Sequence, residues 1–202
     1  MIKLYFAPRT RSVRILWLLE ELGLPYELER VEFIPPAKSF FQQNTPTGKL
    51  PTIEDGELVM CESGAITEYI LETYGEGRLA PAIGSPDRPA YLQWMHFADS
   101  TAFPPLGILI WLLLYREDAA EQAELIADAQ DRAGVGLAYL EKELGDKTWL
   151  LGDGFSAADI MVGFTLSAAE LLGVLTENYP RTLAYLERLK QRPAFQKAAA
   201  TE

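Results

Sequence analysis

The sequence predicts two units of different class. A mixed α/β unit fills residues 1–77, a linker covers 78–86, and an all-helical unit occupies 87–202. Three observations predict this. Short β-prone runs alternate with helical patterns in the first part. A Pro/Gly-rich stretch, GEGRLAPAIGSPDRP at 75–89, then breaks the pattern. Beyond it every sustained apolar pattern has helical spacing.

The elements follow in order. IKLYF at 2–6 is a short strand ended by Ala7-Pro8. Thr10 or Ser12 then caps a helix running to about Leu22. Val13, Leu16, Trp17 and Leu19 supply its apolar faces, and Arg14 and Glu20 its polar ones. Gly23 and Pro25 stop it. Residues 26–33 alternate as a second strand, Pro35-Pro36 breaks it, and 38–43 form a short helix. Strands at 52–54 and 57–60 flank Asp55-Gly56, the strongest turn signal in the chain. Ser63 heads a helix with Ile66, Tyr69, Ile70 and Thr73 at helical spacing. The first strand–helix–strand unit implies parallel pairing and the later hairpin antiparallel pairing.

In the second part, helices are expected at 91–116, with a kink at Pro104-Pro105, and at 117–144, 155–174 and 179–191, with Pro193 opening a short tail. Ser156-Ala157-Ala158-Asp159 reads as a capping box, with Phe155 and Ile160 in the staple positions. Such a cap contributes about 1 kcal/mol.

Composition excludes several classes. Formal net charge is −11, with 7 basic and 12 acidic side chains in 1–77 and 11 and 17 in 78–202. No basic run exists to neutralise phosphates, so nucleic acid is not an expected partner. One cysteine, Cys61, and one histidine, His96, exclude a disulfide framework and a Cys/His metal cluster. No metal and no tightly bound cofactor are expected. The N-terminus lacks a signal-peptide layout. The apolar run LGILIWLLLY at 106–115 is too short to span a bilayer. The expectation is a cytoplasmic protein with no membrane partner.

One stretch, residues 44–70, points to a ligand. Its Gly-Lys-Leu-Pro turn leaves a main-chain edge before Pro51, and Glu62-Ser63 stands at a helix N-terminus. An extended peptide can pair with the first while an anion sits on the second. These two handles suit a small peptide carrying a carboxylate.

Four segments, in order, resemble the cytosolic glutathione S-transferases: KLYFAPRTRSVRILWLLEELGLPYE, NTPTGKLPTI, ESGAITEYI and FSAADI. The first helix looks most like bacterial and fungal members near the theta, beta and nu groupings. The resemblance implies a thioredoxin-like N-terminal domain, an all-helical C-terminal domain and a homodimer. It also implies glutathione in the first domain and a pocket for an apolar electrophile between the domains.

Glutathione chemistry needs a thiolate. A thiol of pKa about 8.5 is roughly 3% ionised at pH 7, and lowering that pKa by about two units requires about 2.7 kcal/mol. A hydroxyl donor and a helix N-terminus are suitable sources. Thr10 lies where serine-type members place their hydroxyl, and Ser12 is the second candidate; either also reads as a plain helix cap. Arg11 occupies the position of the cysteine in cysteine-type members, and it either stabilises a thiolate by charge or is solvated. Tyr5 raises the tyrosine-type alternative, against a reading as strand core.

The resemblance further implies a cis Leu50-Pro51 pair, with the Leu50 main chain holding the cysteinyl part. Glu62 takes the γ-glutamyl ammonium and Ser63 its carboxylate. Lys38 and Lys49 are candidates for the glycyl carboxylate, and Asp99 for the amine of the neighbouring protomer's glutathione. Tyr5, Phe6, His96, Phe103, Trp111 and Tyr115 are candidates for the electrophile site, and the helical ones read equally as core. Cys61 reads as a buried inert thiol.

Three functions compete: conjugation of glutathione to small apolar electrophiles, glutathione-dependent disulfide or peroxide reduction, and a non-catalytic interaction module. Retention of Glu62-Ser63 argues against the last. A zeta-type isomerase is disfavoured because its Ser-Ser-Cys loop is absent.

Overall fold

The computed structural model describes residues 1–31, 45–152 and 154–201. The expected helix at 38–43 lies outside them. The chain divides into two compact units, Met1–Ala82 with Lys190–Glu202, and Ile83–Leu189.

The first unit holds β1 (Ile2–Phe6), α1 (Ser12–Leu22), β2 (Tyr26–Arg30), β3 (Thr52–Asp55), β4 (Leu58–Cys61) and α2 (Ser63–Tyr74). The second holds α3 (Arg88–His96), a π-helical turn (Phe97–Ala102), α4 (Phe103–Tyr115), a 3-10 turn (Ala119–Gln122), α5 (Ala123–Leu144), α6 (Ala157–Leu171) and most of α7 (Pro180–Lys190). A last helix, α8 (Pro193–Ala200), belongs to the first unit.

The sheet order is β2-β1-β3-β4. β1 runs parallel to β2, while β3 is antiparallel to both β1 and β4. Gly23 closes α1 in the left-handed conformation, φ 64°, and its N–H reaches Glu20 O and Leu19 O. Gly56, φ 61°, makes the β3–β4 turn. Beside that turn the Asp55 carboxylate accepts the hydroxyls of Tyr69, at 2.9 Å, and Tyr74. The Tyr74 bond outweighs desolvation and holds the Asp55 pKa below its ordinary value.

The tail expected after Pro193 is helical and docked. Phe195 meets the ring of fully buried Trp17 edge-on, centroids 4.9 Å apart. Arg192 grips Glu21 through two bonds of 2.6 and 2.7 Å, and Lys197 reaches Glu20 at 2.8 Å. A bidentate, partly buried guanidinium–carboxylate pair is the strong form of an ion pair.

In the second unit the apolar run is part of a 28-residue helical segment, Arg88–Tyr115, whose length and composition suffice to cross a bilayer. Here the segment buries Leu106, Leu109 and Leu112 and packs on α5 and α6. The irregularity falls in the π-helical turn just before Pro104-Pro105. Both prolines lack the N–H that the preceding turn's carbonyls need, so the ladder adjusts upstream of them.

Asp159 organises the start of α6. Its carboxylate accepts Ser156 N–H at 2.8 Å and the Ser156 hydroxyl at 3.1 Å. It also accepts Leu150 N–H at 3.0 Å and the Tyr185 hydroxyl at 2.7 Å. Burial raises its pKa, and the four donors offset part of that rise. Asp159→Ala strands four buried donors, so it lowers the unfolding free energy by roughly 2–4 kcal/mol. Urea denaturation measures this, and a loss under about 1 kcal/mol contradicts the assignment.

Candidate functional site

The site candidates of the first unit meet at one end of its sheet. β1 and β3 pair Tyr5 with Thr52, and β3 and β4 pair Thr52 with Cys61. Two positions beyond Thr52 on the same ladders, Leu50 falls opposite Ala7 on one side and Ser63 on the other. Ala7 and Leu50 indeed share a buried cluster with Tyr5 and Val31. The Leu50-Pro51 bond is cis.

Ala7 anchors the two hydroxyls. Ser12 Oγ accepts the Ala7 N–H at 3.2 Å and lies 3.1 Å from Ala7 O. Thr10 Oγ1 lies 2.8 Å from the same carbonyl and 2.6 Å from Ser12 Oγ. Ser12 is fully buried, whereas Thr10 is half-buried. When Ser12 donates to Thr10 or to Ala7 O, the Thr10 proton can turn outward to a ligand. Chains of this kind polarise the terminal hydroxyl. Ser12 therefore backs Thr10 from the buried side. Neither hydroxyl is the cap of α1: the capping position belongs to half-buried Arg11, and no side-chain cap is formed.

Two further candidates lie in the packed part of the first unit. Phe6 is fully enclosed in the core of the first unit and lines no pocket. Tyr5 donates its hydroxyl to Glu54 at 2.6 Å. That bond, with burial and nearby carboxylates, pushes the phenol up to about 12. The Tyr5 hydroxyl is thus engaged by a carboxylate, whereas the Thr10 hydroxyl lies beside Ala7 O and Ser12.

β4 turns abruptly into α2 at Glu62, whose φ of 74° is unusual for a residue with a side chain. Such a backbone costs about 1–3 kcal/mol and tends to sit at ligand sites. Glu62 is exposed. Ser63, only 4% exposed, is the first residue of α2, where unpaired amides and the helix dipole favour an anion. Lys49 is exposed on the preceding loop, and Lys38 lies outside the described residues.

One residue escaped the sequence reading. Arg14, expected on a polar face of α1, is fully buried, and its Nη1 donates to Ser63 Oγ at 3.0 Å. The available signal was its position three and four residues before Trp17 and Leu18, on the buried side of the helix.

In the second unit, Asp99 is half-buried on the π-helical turn and His96 is exposed. Phe103 stacks on Phe164, centroids 6.0 Å apart, and so serves packing within this unit. Trp111 is 49% exposed and lies 6.4 Å from half-buried Tyr115, whose phenol burial pushes up. Cys61 is partly exposed rather than buried. Among the described residues no His, Cys, Asp and Glu group is arranged to hold a metal.

Known proteins resemble this chain in sequence and in fold. Residues 1–72 match the family model for the glutathione S-transferase N-terminal domain, and residues 123–188 that for its C-terminal domain. The chain is 32% identical to glutathione S-transferase GstB of Escherichia coli, over 93% of this chain and 92% of that one. It superposes on a glutathione S-transferase structure from Actinobacillus pleuropneumoniae with a TM-score of 0.82 and 30% identity, covering 98% and 91% of the two chains. A glutathione transferase family member from Pseudomonas fluorescens, with two glutathione molecules bound, gives a TM-score of 0.84 and 28% identity over 98% and 92%.

The Tyr5–Glu54 bond carries a pH dependence. Its folded pKa lies above the ordinary 10.0, at about 12, so its stabilising share is complete below pH 10 and is lost as pH rises towards 12. The gap in unfolding free energy between wild type and Tyr5→Phe is therefore constant below pH 10 and narrows above it. A gap that widens above pH 10 in urea titrations contradicts the bond.

Proposed function

The chain belongs to the glutathione S-transferase family, and on that premise we propose that it conjugates glutathione thiolate to small apolar electrophiles. The observation that carries the reading is the half-buried Thr10 hydroxyl, bonded to Ser12 at 2.6 Å and to Ala7 O at 2.8 Å, at the same sheet end as Leu50 and Ser63.

In this reading the glutathione backbone pairs with the Leu50 main chain. Glu62 takes the γ-glutamyl ammonium, and Ser63 with the first amides of α2 takes its carboxylate. Lys49 is the described candidate for the glycyl carboxylate. Thr10 then donates to the sulfur. Ser12 supplies a proton to Thr10 or Ala7 O in its place, so no buried acceptor is lost. The bond stabilises thiolate over thiol, and the displaced proton leaves to solvent. Attack forms the sulfur–carbon bond, and the leaving group or the π-electron pair departs on the electrophile. The enzyme contributes positioning and thiolate stabilisation. Trp111 and Tyr115 remain the described candidates for the apolar side of the electrophile site. Asp99 keeps its role towards the neighbouring protomer's glutathione as part of a homodimer. Sedimentation is expected to give twice the 22.6 kDa chain mass.

A second reading is glutathione-dependent disulfide reduction. Two glutathione molecules on the Pseudomonas fluorescens relative support it. The loop at 8–12 has no cysteine, so the second thiolate must attack the mixed disulfide directly and expel the reduced thiol.

Thiolate absorbance against pH tests the hydroxyl. With glutathione bound, Thr10→Ala raises the thiol pKa by about one unit, a single charge-assisted bond. Ser12→Ala shifts it less. Equal, negligible shifts defeat the assignment. Absence of saturable binding at millimolar glutathione defeats both enzymatic readings. Turnover with chlorodinitrobenzene against turnover with a glutathione mixed disulfide separates them.

A further inference from the structure

We infer that Arg14 is a positioning residue that makes Ser63 an obligatory hydrogen-bond donor towards the carboxylate of its ligand. The inference rests on the reading of Ser63 as the γ-glutamyl carboxylate site and extends it one layer inward.

A serine hydroxyl carries one proton and two lone pairs, so it can present either face to a ligand. Arg14 removes the choice. Its guanidinium has donors only and stays protonated in proteins. With Nη1 3.0 Å from Ser63 Oγ, it occupies a lone pair of that oxygen. The hydroxyl proton cannot point back at the guanidinium and is directed to the other side of the oxygen. Ser63 is 4% exposed and Arg14 fully buried, so water does not compete for the contact. A charge-assisted bond on the oxygen also polarises its O–H and strengthens donation to an anion. Ser63 leads α2, so this proton joins the amides of the first turn.

The arrangement gives selectivity as well as affinity. A ligand with an apolar or donor-only group at this point leaves that fixed donor unsatisfied, and a neutral acceptor binds it less strongly than a carboxylate does. Burial of α1 on the sheet holds Arg14: Ile15, Leu16, Trp17, Leu18 and Leu19 beside it are all enclosed. The carboxylate preference is thus built into the packing of α1, far along the chain from Ser63.

The test compares glutathione with γ-aminobutyryl-cysteinylglycine, which lacks only the γ-glutamyl α-carboxylate. Calorimetric titration of wild type, Arg14→Lys and Arg14→Met gives the preference for glutathione over the analogue. Arg14→Met is expected to reduce that preference by about tenfold while changing analogue affinity less than about twofold. Arg14→Lys keeps a cation but loses the planar fork, so its preference falls between the two. If Arg14→Met does not fold, the lysine variant alone decides: an unchanged preference overturns the inference. Equal loss for both ligands marks a purely structural role and also overturns it. If wild type binds glutathione and the analogue equally, the placement of the carboxylate at Ser63 falls first, and this inference with it.

Discussion

The central position of β3 is the constraint on which the first unit depends. Thr52 pairs with Tyr5 on one side and Cys61 on the other, so a single residue fixes the register of two ladders. A slip of one position on either side would turn Ile53, fully buried now, out of the core. The chain enters β3 through Leu50-Pro51, leaves β1 through Ala7 and leaves β4 through Glu62. One entry and two exits therefore meet at one sheet end because β3 runs antiparallel to both neighbours. The far end is held separately, by Asp55 and the two tyrosines of α2. The unusual backbone of Glu62, φ 74°, lies at the opposite end, beside the buried cluster of Tyr5, Ala7, Val31 and Leu50.

The chemistry sits where the backbone runs out of regular partners. Ala7 offers one N–H and one carbonyl after the last residue of β1, and both are taken by the side chains of Thr10 and Ser12, the latter the first residue of α1. The result is a hydroxyl pair of unequal burial, in which the inner member stabilises the outer. Ser63 and Arg14 repeat the pattern on α2: an outer hydroxyl with a buried donor behind it. In both places a buried neighbour bonds the hydroxyl oxygen and restricts where its proton can point.

Much of the fold was legible because local signals and tertiary demands agree. Gly23, Asp55-Gly56 and the Ser156–Asp159 box each stand where their backbone chemistry requires. The main-chain edge at Leu50 and the helix start at Ser63 were legible for the same reason, since turns and helix ends have short signatures. What could not be read depends on distant partners. Arg14 is polar by type although its spacing to Trp17 and Leu18 puts it on the buried side of α1, and its partner Ser63 lies 49 residues away. The PAFQKAAA segment after Pro193 has a weak pattern of its own. Its helix is specified by Trp17, Glu20 and Glu21, which lie more than 170 residues away. Thr10 and Ser12 are equivalent as residue types, and burial alone separates them. The π-helical turn gave no signal beyond Pro104-Pro105, because its cause lies in the following turn.

The docking of α8 on α1 makes the first unit discontinuous in sequence. A ribosome delivers the sheet and both its helices long before it delivers Arg192, Phe195 and Lys197. During that interval Glu20 and Glu21 hold only their local partners, Tyr26 and Trp17, and lack the cover that α8 supplies. The Trp17 face is closed only after the intervening helical unit has been synthesised.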